Sequence, residues 1–210
     1  MEQFDALLLV AEKLLSPHGC PWDLKQTFQS LQPYVLEEAH EVIEAVDLDD
    51  DHKIVEELGD LLYTIIFYGK LAEKTKRFSM EQIVTAIKEK LIRRHPHIFG
   101  DVKVESVEEV VSNWDKIKKQ ERSSKKAELD EIPPTLPGLV RGQKILKRVD
   151  KAGFALIENK KDRKLSEAEL GEKILELLLD ANQSDIDAES ALRKALASLM
   201  QRFREWETPS

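Results

Sequence analysis

The sequence predicts an all-α protein built from antiparallel helices. Two observations carry that prediction. Apolar residues recur at helical spacing through nearly every segment, and no segment alternates with period two for long enough to demand a sheet. The composition agrees, with 41% hydrophobic and 34% charged residues and only 8 glycines and 8 prolines in 210 residues to break helices.

The elements follow in order. Residues 4–15 place Leu7, Leu8, Val10, Ala11, Leu14 and Leu15 at helical spacing, and Pro17, Gly19 and Pro21 then end that helix. A second helix is expected over residues 33–46, with Pro33 in its first turn, where a missing N–H costs nothing. Residues 47–51 form an acidic break. A third helix covers residues 54–75. A fourth starts at Ser79, with Glu81 and Gln82 close behind as an N-terminal cap, and stops before Pro96. A fifth, over residues 106–122, opens with the capping-box pattern Ser106-x-x-Glu109. Residues 123–135 read as a linker, charged at Ser123-Ser124-Lys125-Lys126 and stiffened by Pro133 and Pro134. Beyond it, helices are expected over residues 139–149, 166–181 and 188–206.

Charge and cysteine usage bound the function. The formal net charge of -8 argues against nucleic acid as the main partner. No apolar run approaches the roughly 18 residues of a membrane span. The start, Met1-Glu2-Gln3-Phe4-Asp5, lacks the basic residues of a signal peptide. A single cysteine, Cys20, excludes an internal disulfide framework and fits a reducing cytoplasm; beside Pro21 and Trp22 it reads as packing rather than as a nucleophile.

The chemistry is concentrated in two acidic motifs, Glu37-Glu38-Ala39-His40-Glu41 and Glu57-Leu58-Gly59-Asp60. At about 100° per residue, Glu37, Glu38, Glu41 and Glu44 share one broad stripe of the second helix. Val35, Leu36, Ala39, Val42, Ile43 and Val46 fill the opposite side. Taken alone, this is an amphipathic helix with an acidic outer face. The third helix is different. Leu61, Thr64, Phe67, Tyr68 and Leu71 lie on or beside the side that holds Glu57 and Asp60, so the acids have no hydrophilic stripe to belong to. That helix is expected to be buried on most sides. Its acids then need neutralising partners or a cation. The short break implies an antiparallel hairpin, on which the two acidic sets converge and raise each other's pKa. Hard oxygen ligands without cysteine favour Mg²⁺, with Mn²⁺ the other candidate.

Glu37-x-x-His40 also matches one element of the di-iron helical bundles. That fold needs the element twice on separate helices, and the similar spacing Asp49-x-x-His52 falls in the break, which disfavours it. On the fourth helix Lys88, Lys90, Arg93 and Arg94 lead into His95-Pro96-His97. Cations at a helix C-terminus complement its dipole, yet an arginine pair also suits a phosphate chain bridged by a metal. Trp114 and Lys118 add an aromatic face and a further cation, serving either a nucleotide or ordinary packing. There is no glycine-rich phosphate loop and no Ser/His/Asp arrangement.

Cys20-Pro21-Trp22-Asp23, Glu37-Glu38-x-x-Glu41, Glu57-x-x-Asp60 and Arg93-Arg94-His95-Pro96-His97-Ile98-Phe99, in this order, resemble the MazG family of the all-α NTP pyrophosphatase superfamily. The resemblance covers residues 1–122. It implies an antiparallel bundle of that type, Mg²⁺-dependent hydrolysis of nucleoside triphosphates to monophosphate and pyrophosphate, and a homodimer with sites near the subunit contact. It further implies a role in cleaning the nucleotide pool. Carried over, it makes Glu38, Glu41, Glu57 and Asp60 metal ligands, with Glu37 a further ligand or the base. Glu37, Glu38 and Glu41 are thus the catalytic set, and which of them is the base stays open. Lys90, Arg93 and Arg94 would hold the phosphates, with Trp114 and Lys118 near the nucleotide. Neighbouring branches of the superfamily make a narrower dUTP or damaged-nucleotide pyrophosphatase an alternative. A non-catalytic dimeric nucleotide-binding regulator is another.

Residues 136–210 resemble an eroded second copy of the same unit. Leu136-Pro137-Gly138-Leu139-Val140-Arg141-Gly142-Gln143-Lys144-Ile145 is similar to its start, Glu169-Leu170-Gly171-Glu172 to a weakened acidic element, and Arg202-Phe203-Arg204-Glu205 to the end of a basic helix. No Glu-Glu-x-x-Glu precedes them. Lys160-Lys161-Asp162-Arg163-Lys164 stands where an acidic helix should lead in, and Ser198 and Gln201 occupy the positions of Lys90 and Arg93. The expectation is a shortened, catalytically dead unit kept for packing or dimerisation.

Overall fold

The computed structural model describes residues 2–121, 128–154 and 164–207. The opening of the expected linker, Ser123-Ser124-Lys125-Lys126, lies outside the described residues, as do residues 160–163 of the basic run that ends at Lys164. Among the described residues every regular element is helical, so the all-α expectation holds. The chain divides into two compact units, residues 1–118 and 119–210.

In the first unit, α1 (Glu2–Leu14) ends where Ser16 turns its hydroxyl back to the Lys13 carbonyl at 2.8 Å. A 3-10 turn at Asp23–Lys25 leads to α2 (Gln32–Asp47), which carries Pro33 in its first turn. The break that follows is tight. Asp49 adopts a left-handed φ of 53°, which Asp tolerates better than most residues, and the Asp50 N–H reaches back to the Ala45 carbonyl at 3.2 Å. Asp50 then caps α3 (Asp51–Lys74), its carboxylate accepting from the His52 and Lys53 N–H groups at 3.1 and 3.2 Å. This turn folds α3 back along α2.

The step from α3 to α4 (Met80–Arg94) carries the expected cap in full. Ser79 accepts from the Gln82 N–H at 3.2 Å, and the Gln82 side chain accepts from the Ser79 N–H at 2.9 Å. Glu73, paired with Lys70 at 3.1 Å, also accepts from the Met80 N–H at 2.9 Å. Gly69 lets Met80 close onto α3, because a Cβ there would stand 2.0 Å from the Met80 sulfur. Pro96 ends α4 and opens a four-residue helix, α5 (Pro96–Phe99), too short for periodicity to announce. α6 (Val107–Glu121) opens on Ser106 as expected, with one change: the Glu109 carboxylate reaches the Glu105 N–H at 2.9 Å rather than that of Ser106.

Two buried clusters hold this unit. Leu15, Leu31, Phe67 and Leu71 form one, with Phe28, Tyr34, Tyr63 and Tyr68 against them. Ala11, Ile66 and Met80 form the other. The expectation that α3 is buried on most sides is corrected here. Thr64, Ile66, Phe67 and Leu71 are buried, but Val55, Leu58, Leu62 and Ile65 are exposed. α2 covers one flank of α3 and α1 another, which leaves a third, apolar flank open.

The second unit comprises a 3-10 turn at Glu128–Glu131, α7 (Gly138–Lys151), α8 (Glu167–Gln183) and α9 (Ala188–Glu207). α7 packs on α9 through Ile145, Val149, Leu196, Leu199, Met200 and Phe203, with Leu129 and Ile132 closing the cluster. α8 is less covered. Leu175, Leu177, Leu178 and Leu179 are all exposed.

Candidate active site

The site lies along the groove between α2 and α3. A free amphipathic helix would bury its apolar side, but α2 turns Glu38 and Glu41 inward, while Glu37 and Glu44 of the same stripe stay exposed. Glu38 and Glu41 are half-buried, two turns and one turn before buried Ala45 respectively, whereas Leu36 is 64% exposed and Ile43 and Val46 are each 54% exposed. Glu57 comes up from α3 to meet them. Carboxylate oxygens of Glu38, Glu41 and Glu57 all lie within 4.8 Å of one another, and no other such grouping of three metal-ligating side chains occurs among the described residues.

Electrostatics record the crowding. Loss of water raises the Glu38 pKa above the usual carboxylate value, and the charges of Asp60, Glu41, Glu37 and Glu57 raise it further. The Glu57 carboxyl is likewise raised, first by desolvation and then by Glu41, Glu56 and Asp60, with Lys53 opposing. Asp60 and Glu37 are exposed at the margin of this cluster. The donor set fits a divalent cation: hard carboxylate oxygens, mutually repelling, close enough to share one ion. The expected convergence of the two motifs is therefore seen for three acids, with Asp60 acting electrostatically on Glu38 and Glu57.

One turn further from the break, the same groove becomes a cleft of about 130 Å³ lined by Trp22, Leu31, Tyr34, Glu38, Tyr63, Thr64 and Phe67. The order along the helices is regular. Glu41 and Glu57 stand nearest the break, then Glu38 and Asp60, then Tyr34 with Tyr63 and Thr64, then Leu31 with Phe67. Trp22 meets Tyr34 edge to face, with ring centroids 5.7 Å apart. Burial raises the Tyr63 phenol, with Asp23 and Cys20 adding to it, so the hydroxyl keeps its proton. Sequence reasoning passed over Tyr34 and Tyr63 and used Trp22 only as part of a motif. The signal was present, because Tyr34 precedes Glu38 by one turn and Tyr63 follows Asp60 by three residues, so each continues an acidic stripe.

The basic candidates form a separate feature. Lys90 and Arg93 are exposed on α4, and Lys118 is half-buried on α6. Arg94 lies over the Trp114 ring at 5.3 Å from its centroid. None of Lys90, Arg93, Arg94 or Lys118 is among the charges acting on Glu38 or Glu57.

In the second unit, the similar spacing serves another purpose. Glu169 is the third residue of a capping box: its carboxylate accepts from the Ser166 N–H at 2.9 Å, while the Ser166 hydroxyl accepts from the Glu169 N–H at 3.2 Å. Glu172 is exposed.

Comparison with known proteins agrees with this geometry. The MazG nucleotide pyrophosphohydrolase domain family matches residues 26–99, which include both acidic motifs and the arginine pair. The nucleoside triphosphate pyrophosphohydrolase of Escherichia coli (strain K12) is 38% identical over 231 aligned positions, covering 99% of this chain and 88% of that protein. The nucleoside triphosphate pyrophosphohydrolase/pyrophosphatase MazG of Thermotoga maritima is 37% identical, covering 97% and 85%. A solved mazG-related protein from Thermotoga maritima aligns with 55% of this chain and 98% of its own at 31% identity, with a TM-score of 0.49. With its acid-lined groove and relatives of this identity along nearly its whole length, the chain belongs to the MazG nucleoside triphosphate pyrophosphohydrolase family.

Proposed function

We propose that this protein hydrolyses nucleoside triphosphates to nucleoside monophosphate and pyrophosphate at the α2–α3 groove. The observation that carries the proposal is the meeting of Glu38, Glu41 and Glu57 directly beside an aromatic cleft. A stacking surface and a polyanion-binding cluster, one turn apart on the same two helices, match the two ends of a nucleotide. The base enters between Trp22, Tyr34 and Tyr63, and the phosphates extend over the acids toward the helix break.

Glu38, Glu41 and Glu57, with Asp60 beside them, would hold Mg²⁺. Bound there, the ion would polarise the α-phosphate, lower the pKa of water and neutralise charge on the leaving pyrophosphate. The chain's own groups supply the rest. A carboxylate of Glu37, Glu38 or Glu41 orients the attacking water and accepts its proton. A bond forms from the water oxygen to the α-phosphorus, and the bond to the α–β bridging oxygen breaks. Arg94, with Lys90 and Arg93 on the same helix, holds phosphate oxygens by charge-assisted hydrogen bonds. The aromatic walls keep water from the base side of the cleft.

A second copy of the chain completes the unit in this reading. Leu36, Ile43 and Val46 on α2 and Val55, Leu58, Leu62 and Ile65 on α3 present exposed apolar surface flanking the groove, the kind that a subunit contact covers. The lone Cys20 suits the cytoplasm, where the nucleotide pool lies. Residues 136–210 act as an eroded copy without metal, a reading supported by the use of Glu169 as a helix cap.

Product analysis in ¹⁸O-labelled water tests the reaction. The proposal expects pyrophosphate release from a panel of triphosphates with Mg²⁺, and label in the monophosphate. Orthophosphate and diphosphate as products would refute it, and label in pyrophosphate would place the attack on the wrong phosphorus.

A further inference from the structure

Asp23 and Thr64 are the two buried polar side chains among the described residues, each 7% exposed. Thr64 is accounted for, because its hydroxyl donates to the Asp60 carbonyl of its own helix at 3.0 Å. Asp23 is not. It opens the 3-10 turn that follows Trp22, and that turn closes without its side chain. The Leu24 N–H reaches the Cys20 carbonyl at 3.0 Å, and the Lys25 N–H reaches the Trp22 carbonyl at 3.1 Å. Among the described residues the Asp23 carboxylate takes no hydrogen bond and pairs with no cation. It is not sealed off either. The fully enclosed side-chain atom that lacks a partner is Arg141 Nε, so the Asp23 oxygens keep an opening. A carboxylate held away from water with no donor is costly, and a donor that arrives with a ligand would remove the cost.

Two neighbours tie Asp23 to the aromatic cleft. Trp22, the residue before it, is part of the cleft wall, and so is Tyr63. The Asp23 charge reaches the Tyr63 phenol and helps to keep it protonated. The two groups are nonetheless not hydrogen-bonded to each other, so neither satisfies the other. Whatever enters between Trp22, Tyr34 and Tyr63 therefore meets a carboxylate at the cleft's edge.

A carboxylate only accepts, so it favours a base that offers N–H groups. Guanine presents a ring N–H beside an amine, and cytosine and adenine each present an amine. Uracil carries a carbonyl where cytosine has its amine, and hypoxanthine lacks the amine of guanine. An oxo group turned toward Asp23 sets lone pair against lone pair. We propose that Asp23 is a specificity-determining residue: its carboxylate accepts from an exocyclic amine, so the cleft favours triphosphates of amino-bearing bases over their oxo counterparts. The proposal rests on the pyrophosphohydrolase reading for placing a base in this cleft.

The test uses two matched pairs that differ at the amine, CTP with UTP and GTP with ITP. Pyrophosphate release with Mg²⁺ gives kcat/KM for each, and calorimetry with non-hydrolysable analogues gives Kd. The wild-type protein is expected to favour the amino member of each pair by about ten- to hundredfold in both measurements. Asp23→Asn, whose amide both donates and accepts, should bring each ratio to within about threefold of one. A merely structural role would lower all four substrates alike and leave the ratios where they were. That result would overturn the proposal, as would wild-type ratios near one. If Asp23→Asn does not fold, Asp23→Ser gives the same comparison, and the wild-type ratios remain decisive against the proposal. Pyrophosphate release with equal ratios would refute base selection and leave hydrolysis standing. The expected Kd ratios without pyrophosphate release would refute hydrolysis and leave base selection standing.

Discussion

Glu57 on α3 and Glu169 on α8 sit in the same local pattern, Glu-Leu-Gly followed by an acid, yet they do opposite things. Glu169 bonds to the start of its own helix, where a carboxylate meets unpaired N–H groups and needs nothing else. Glu57 lies two turns inside α3, where no N–H is free, because Asp50 has already capped that helix from the break. Its carboxylate is left to face Glu38 and Glu41. The difference teaches that an acidic motif is not a metal site by spacing. It becomes a candidate for one when helix capping is done by another residue and a facing helix brings more acids.

Four changes separate the two regions, from the largest effect to the smallest. Glu41→Ala removes one of three converging carboxylates. It is expected to lower kcat/KM for triphosphate hydrolysis by about a hundredfold or more, with helicity by circular dichroism unchanged. Activity within tenfold of wild type would remove Glu41 from the reaction.

Next comes metal removal. Mg²⁺ at about a hundred times its Kd adds about 2.7 kcal/mol to the folded state, so chelator should lower the melting temperature by a few degrees. A Glu38→Gln/Glu57→Gln variant should show no such drop, and Glu169→Gln should show the full one. The pH dependence has a definite sign. Glu38 and Glu57 have raised pKa values, so each holds its proton more tightly folded than unfolded. The metal-free fold is therefore penalised above those raised values and gains stability as pH falls through them from neutral, while Mg²⁺ affinity falls over the same window. A metal-free protein that loses stability on this first step of acidification would contradict the crowding of the groove.

A smaller effect belongs to Asp60. It is exposed beside the cluster, and Asp60→Asn is expected to weaken Mg²⁺ binding by about ten- to hundredfold while the chain stays folded. Unchanged affinity in a calorimetric titration would take Asp60 out of the ligand set. The smallest is Glu169→Ala, which loses a cap. It should cost about 1 kcal/mol in denaturant unfolding and leave turnover alone.

Much of this was legible in the sequence, and the rest was hidden for identifiable reasons. Helix order, the break at residues 47–51 and the caps at Ser79 and Ser106 are local properties, written in spacing and capping residues. The acidic motifs were legible as well, but not which way α2 faces. Periodicity shows that its acids and apolar residues lie on opposite sides; it does not say that Glu38 and Glu41 turn inward while Leu36, Ile43 and Val46 stay open. That choice is made by α3, through long-range packing. The same holds for the exposed flank of α3, which its unbroken apolar run had suggested would be buried. The aromatic cleft depends on Trp22 folding back from outside both helices onto Tyr34, a contact that helical spacing within α2 does not encode. Glu169 was misleading because a capping box and a ligand pair can share one spacing.

The most direct measurement compares pyrophosphate release by Glu57→Gln and Glu169→Gln under identical Mg²⁺ and triphosphate concentrations. Loss of turnover in Glu57→Gln with wild-type rates in Glu169→Gln is the predicted result. Wild-type rates in Glu57→Gln, or equal loss in both, would contradict the assignment of catalysis to the α2–α3 groove.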